Sequence, residues 1–137
     1  MKIEIRYYSK GGNTKKIAEA IGEELGIKAM PISERIKEDI DVLFLCNSVY
    51  AASIASPVKD FLRINDRKIT TIYNVSTAGI VSSTYKGIKK LCSKYNLNLS
   101  EKEFHCKGSW NGKKPNSHPD EKDLEAAKAF AKEVIGK

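Results

Sequence analysis

Six consecutive residues, Ser9, Lys10, Gly11, Gly12, Asn13 and Thr14, hold the donors from which an anion site is built. Ser9 and Thr14 bring hydroxyls, Asn13 an amide and Lys10 a cation, while Gly11 and Gly12 let the backbone fold closely around an oxygen-rich group. Behind them Lys2 to Ser9 reads as a strand. Ahead of them Ile17, Ile21 and Leu25 return at helical spacing, with Ala18 and Ala20 beside them. The six residues therefore lead into a helix N-terminus, where backbone N–H groups lack intrahelical partners and the macrodipole adds partial positive charge. Phosphate binding is the chemistry expected; the alternative is an ordinary Gly-Asn turn that opens a helix. Neither the nucleoside-triphosphate loop, G-x-x-x-x-G-K-[ST], nor the dinucleotide fingerprint, G-x-G-x-x-G, is present.

Two further polar runs follow strongly apolar ones. The first is Cys46, Asn47, Ser48, Val49, Tyr50 and Ala51; the second is Asn74, Val75, Ser76, Thr77, Ala78 and Gly79. Ser48 and Ser76 have no histidine at a recognisable spacing, which leaves a hydrolase triad unsupported. His105 and Cys106 are adjacent, so on a strand they point to opposite faces, and His118 supplies no tetrahedral set with them. Structural roles are expected for all three. Cys46 is either a redox-active thiol or, as a buried residue at a strand end, an inert one.

The elements that carry these residues alternate. After the first strand and helix, Ile27 to Ile32 is expected as a short second strand closed by Pro31. A brief helix is expected over Ser33 to Ile40, with Ile36 and Ile40 on one side. Asp41 to Cys46 is a continuous apolar run, the pattern of a strand buried on both faces at the centre of a parallel sheet. Ser56 is an N-cap candidate and Pro57 suits the first helical position, ahead of Val58, Phe61 and Leu62. Lys68 to Val75 reads as the fourth strand, and Tyr85, Ile88, Leu91, Cys92 and Tyr95 recur as a helix. Glu103 to Gly108 reads as the fifth strand, and Ser109 to Ser117 as a connection. The last helix carries Leu124, Ala127, Ala131 and Val134, with Pro119, Asp120 and Glu121 suited to its start. Five strands alternating with helices imply a three-layer, doubly wound α/β domain with a five-stranded parallel sheet, spanning residues 1–137 as one unit.

Together the three polar runs resemble those of flavodoxins. In that family the loop after the first strand is commonly S/T-x-T-G-N-T, the third strand ends in G-S-x-V/I-Y and the fourth in S-T-A/G-G. The match lies at Ser9, Gly12, Asn13 and Thr14, at Ser48, Val49 and Tyr50, and at Ser76, Thr77 and Gly79. Gly11 stands where threonine is usual, and Cys46 where glycine is. The resemblance implies a flavodoxin-like sheet of order 2-1-3-4-5 with ligands beyond the carboxyl ends of strands 1 and 3. In that order Glu4 and Arg6 share a face of a central strand where apolar residues are expected; they either pair or lie where a helix leaves the face open.

The resemblance further implies FMN as cofactor. Its phosphate would lie on Ser9, Lys10, Gly11, Gly12, Asn13 and Thr14. Its ring would lie against Tyr50 and against the backbone of Asn47, Ser48, Val49, Tyr50, Ala51, Ser76, Thr77, Ala78 and Gly79. Ile80 and Val81 occupy a loop that often carries an aromatic, leaving Trp110 or Tyr85 to shield the second ring face, unless Trp110 is half-buried beside the last helix. An electron-transfer protein is the function implied. Alternatives are a flavodoxin-like oxidoreductase of quinone reductase or protoporphyrinogen oxidase type, and a cofactor-free module for phosphorylated ligands or nucleic acid.

Composition sets the outer bounds. The chain has 137 residues, 41% hydrophobic, enough for one core-bearing domain. It carries 24 Lys and Arg against 17 Asp and Glu, a net charge of +7. The densest basic groups, Lys86, Lys89 and Lys90 and then Lys107, Lys113 and Lys114, lack interleaved aromatics, so a solvated surface is expected rather than a nucleic-acid platform. Such a surface favours an acidic redox partner, alongside a separate flavin reductase, with the protein a monomer. No membrane span or signal peptide is read in the sequence, and three widely spaced cysteines suit a reducing compartment, so a cytoplasmic protein is expected.

Overall fold

The computed structural model describes residues 1–50, 53–78, 83–107 and 119–136. Its elements are β1 (Ile3–Tyr7), α1 (Asn13–Leu25), β2 (Met30–Pro31), β3 (Ile40–Tyr50), β4 (Ser53–Ile54), α2 (Ser56–Ile64), β5 (Ile69–Ala78), α3 (Tyr85–Lys94), β6 (Leu99–Lys107) and α4 (Glu121–Ile135). β3 is the strand its apolar run predicts: Val42, Phe44 and Cys46 are buried on one face, Leu43 and Leu45 on the other. It pairs in parallel with β1 and β5, and the sheet runs β2-β1-β3-β5-β6. With the two-residue β4 set aside, this is the order 2-1-3-4-5. β4 turns back antiparallel on the tip of β3, placing Ile54 opposite Val49 and Ser53 opposite Tyr50.

Helices cover both faces. On one, α1 and α4 bury Ile17, Ile21, Ala127 and Ala131 against Ile5, Phe44 and Val75. Phe130 anchors α4 there, with its ring 5.9 Å from that of Phe104 and 6.5 Å from that of Phe44. On the other, α2 and α3 bury Val58, Phe61, Leu62, Ile88 and Cys92 against Leu43, Leu45 and Ile72. Apolar area removed from water on both faces is the main favourable term in such a three-layer domain. α4 begins at a reciprocal cap: Asp120 accepts from the Asp123 backbone N–H at 3.0 Å, and the Asp123 carboxylate accepts from that of Asp120 at 2.9 Å.

The helix expected over Ser33 to Ile40 does not form. A turn at Ile32 and Ser33 leads into an irregular path up to β3. The cause lies in β1. Arg6, 6% exposed, donates through Nε to the Glu34 carbonyl at 2.6 Å and through Nη1 to Glu4 Oε1 at 2.6 Å. Nearby, Lys2 Nζ donates to Glu38 at 2.6 Å, and the Lys68 backbone N–H to Asp39 at 3.0 Å. An eight-residue helix is marginal on its own. Here long-range bonds to its carbonyl and carboxylates hold the segment in that irregular path. Glu4 and Arg6 therefore pair on a face that a loop, not a helix, covers.

Other boundaries move for local reasons. The second strand shrinks from Ile27–Ile32 to Met30–Pro31, because Gly26 closes α1 at φ 71° and the Ile27 N–H is taken by the Gly22 carbonyl at 2.9 Å. β6 begins at Leu99 rather than Glu103. It is the sheet edge, where the Leu99 to Lys102 stretch is polar and half-exposed. Ser56 is the first residue of α2 rather than its cap; Ala55 caps, with no side-chain bond, and Pro57 sits within the first positions. The connection expected over Ser109 to Ser117 lies outside the described residues.

Candidate functional site

β1, β3 and β5 run in parallel, so their carboxyl ends lie at one edge of the sheet, and the three polar runs begin there. β1 hands over to α1 through the Ser9 to Gly12 turn. Gly12 lies in the left-handed region, φ 89°, and is the N-cap. Its N–H donates to Ser9 Oγ at 2.9 Å, which leaves the Ser9 proton available to donate. No side chain caps α1 and no acid stands in its first turn. The helix start is thus electropositive, with no side-chain cap from its N-cap residue. A Cβ added at Gly11 or Gly12 would meet no atom within 4 Å, so the loop has open space around it.

Thr14, 1% exposed, reaches across the sheet edge. Its hydroxyl lies 2.9 Å from that of Thr77, 2% exposed, at the end of β5. Two of the predicted runs therefore touch through side chains. In such a hydroxyl pair one proton is shared and the other remains free to donate.

The second and third runs meet on the opposite face of the sheet, through asparagines. Asn47 Nδ2 donates to the Leu45 carbonyl at 3.0 Å and to Asn74 Oδ1 at 2.9 Å; Asn74 Nδ2 in turn donates to Thr84 Oγ1 at 3.0 Å. The Thr84 N–H donates to Ser76 Oγ at 3.4 Å. Thr84 is the N-cap residue of α3, yet its hydroxyl serves Asn74 rather than its own helix. This ladder ties the tips of β3 and β5 to the start of α3. The predicted site set omits Asn74 and Thr84. A threonine just ahead of a helical repeat is the one signal that marks Thr84.

Two buried side-chain atoms at the tip of β3, Asn47 Oδ1 and Ser48 Oγ, have no hydrogen-bond partner among the described residues. Leaving a buried acceptor or hydroxyl unmade costs about 1–3 kcal/mol. Such orphans mark places where a ligand or water completes the set.

Among the other expected residues, Val49, Tyr50 and Ala78 are placed as backbone at the strand ends. Ala51, Gly79, Ile80, Val81, Trp110 and His118 fall outside the described residues. Tyr85 is held to the sheet edge, its hydroxyl donating to the Ser100 carbonyl at 2.9 Å. Burial first, then Glu101 and Glu103, push that hydroxyl's pKa up. Cys46 is fully buried, and burial pushes its thiol far above the ordinary range, which suits an inert residue. His105 is exposed, and no metal-ligating cluster exists among the described residues. A cavity of about 210 Å³ lies elsewhere, between Glu4, Arg6, Met30 and Glu34, and its principal charges already pair.

This arrangement of sheet and helices is the flavodoxin fold. An archaeal flavodoxin superposes with a TM-score of 0.75 at 17% identity, over 98% of this chain and 96% of that one. Oxidised Flavodoxin 2 from Bacillus cereus gives 0.68 at 16% identity, over 96% and 95%. The rubredoxin oxygen:oxidoreductase of Desulfovibrio gigas gives 0.70 at 18% identity, where the chain covers 34% of that larger protein. No family model and no curated protein matches the sequence.

Proposed function

We propose that the chain is an FMN-binding electron-transfer protein. The observation that carries this reading is the convergence, at one sheet edge, of an uncapped helix start with the buried and unpartnered Asn47 Oδ1 and Ser48 Oγ. An elongated ligand with an anion at one end and a polar ring edge at the other fits both halves. The flavodoxins that share the fold support the same reading.

In this reading Ser9, Lys10, Gly11, Gly12, Asn13 and Thr14 hold the phosphate through hydroxyl, amide and backbone donors. Asn47, Ser48, Val49, Tyr50 and Ala51, with Ser76, Thr77, Ala78 and Gly79, meet the ring, and Tyr50 stacks on it. When bound, FMN supplies the redox chemistry, taking up and passing on electrons singly or in pairs. The protein's share is to orient the ring, to exclude water from its inner edge and to offer fixed dipoles to it. The Asn47, Asn74 and Thr84 ladder does the orienting, since it fixes both strand tips to α3. The chain works as one domain over residues 1–137, as a cytoplasmic monomer served by a separate flavin reductase and an acidic redox partner. Three free cysteines suit a reducing compartment, and no helix among the described residues is long and apolar enough to cross a membrane.

Titration of apoprotein by flavin fluorescence quenching tests the reading. FMN should bind at least about tenfold more tightly than riboflavin, because each lost charge-assisted bond is worth about 1.5–3 kcal/mol. Equal affinities, or none, would overturn it.

A further inference from the structure

We propose that the outer face of α3 docks an acidic protein partner, with Lys86, Lys89, Lys90 and Lys94 as its contacts. That this partner is a redox protein rests on the electron-transfer reading; the surface itself does not. α3 carries these four lysines and no acid in ten residues. At 100° per residue they fall within an arc of about 140°. All four are exposed, while Ile88 and Cys92 on the other side are buried against the sheet.

The arrangement is electrostatically unfavourable by itself. Lys86 and Lys90, and Lys90 and Lys94, are like charges at i,i+4, and Lys86 stands at the positive end of the helix dipole. Some basic residues elsewhere are paired, Lys2 2.6 Å from Glu38, Arg63 3.3 Å from Asp60 and Lys128 2.7 Å from Glu23; what sets α3 apart is four lysines gathered on one arc. Among the described residues no carboxylate pairs with any of the four, and Lys94 lies 5.5 Å from the centre of the Tyr95 ring. The acids nearest the start of α3, Glu101 and Glu103, stand on β6, and Glu103 accepts from Ser83 at 2.6 Å. Asp60 on the neighbouring α2 is already paired with Arg63. The charge is therefore open to a partner.

Position gives the surface its use. α3 starts one residue after Thr84, which is bonded to Asn74 at the strand-end edge. The stripe leaves the rim of the candidate site and runs about 12 Å along the helix. A partner seated on it lies beside the site. The occupant is an acidic protein for two reasons. No aromatic is interleaved on the exposed arc to stack a base, and no apolar side chain stands there to enter a bilayer.

The test uses a labelled, glutamate-rich peptide as probe, read by fluorescence anisotropy at about 50 mM salt, where the Debye length exceeds 10 Å. The variant K86E/K89E/K90E/K94E should bind it about tenfold or more weakly. A control with the same charge change on other exposed positions, K28E/K59E/K122E/K132E, should lose less than about threefold. The corresponding glutamine variant at the four α3 positions removes the charge without reversing it and should also weaken binding, with its fold checked by circular dichroism. Equal loss in the α3 and control variants would overturn the proposal. So would tighter binding of duplex DNA, or of phosphatidylserine vesicles, through the same four lysines. The same titrations with and without FMN separate the two readings: a protein that takes no FMN but docks the peptide on α3 keeps this surface and loses the electron-transfer assignment.

Discussion

Gly11 and Gly12 are neighbours with different obligations. Gly12 holds φ 89°, a conformation that costs a residue with a Cβ about 1–2 kcal/mol. Gly11 has no positive φ and faces open space. Gly12→Ala should therefore lower the melting temperature and weaken FMN, because the N–H bonded to Ser9 shifts with it. Gly11→Thr, which restores the residue usual in flavodoxin loops, should keep the fold and bind FMN at least as tightly. Thermal unfolding paired with flavin titration checks both; loss of FMN from a folded Gly11→Thr protein would show that the loop needs glycine there.

At the scale of elements, legibility followed periodicity. α1, α4 and the middle of β3 stand where their apolar repeats put them, because burial of one stripe or of two faces is written locally. The segment 33–40 was not legible, since its conformation answers to Arg6, some thirty residues away. The tips of β3 and β5 were missed for another reason: Asn47, Ser48, Ser76 and Thr77 are polar, so they break the hydrophobic pattern although they continue the strands. Motif order singled these residues out as a candidate site where pattern did not. The Asn74 to Thr84 bond depends on cross-strand register, with Asn74 opposite Leu45, and no spacing along the chain encodes it. Register also limits helices. A Cβ on Gly22 would lie 2.4 Å from the Ile27 carbonyl, so although alanine is the better helix former, Gly22→Ala should destabilise by about 1–3 kcal/mol. Urea unfolding with an unchanged m-value and a lower midpoint is the expected result; a raised midpoint would show that the turn into β2 yields.

For the whole molecule the proposed electron-transfer role turns on whether the protein would work alone or through a reductase. Two residues separate β3 from β4, and six separate β5 from α3. Connections this short beside β3 and β5 leave little chain there with which to build a pocket for a second organic substrate; most of the longer connection after β6 lies outside the described residues. The FMN-loaded protein should therefore oxidise NADH or NADPH slowly in stopped-flow mixing, and take up electrons mainly through a reductase. Rapid steady-state turnover of a nicotinamide with a quinone by the protein alone would favour the enzyme reading. One feature bears on motion at this edge. The carboxamide protons of Asn47 and Asn74 are buried, and each group donates within the ladder that joins two strands to a helix. Protons held in this way trade with deuterium from solvent only when the strands and α3 part company. The two side chains thus carry a built-in timer for the breathing of the sheet edge, readable without any ligand at all.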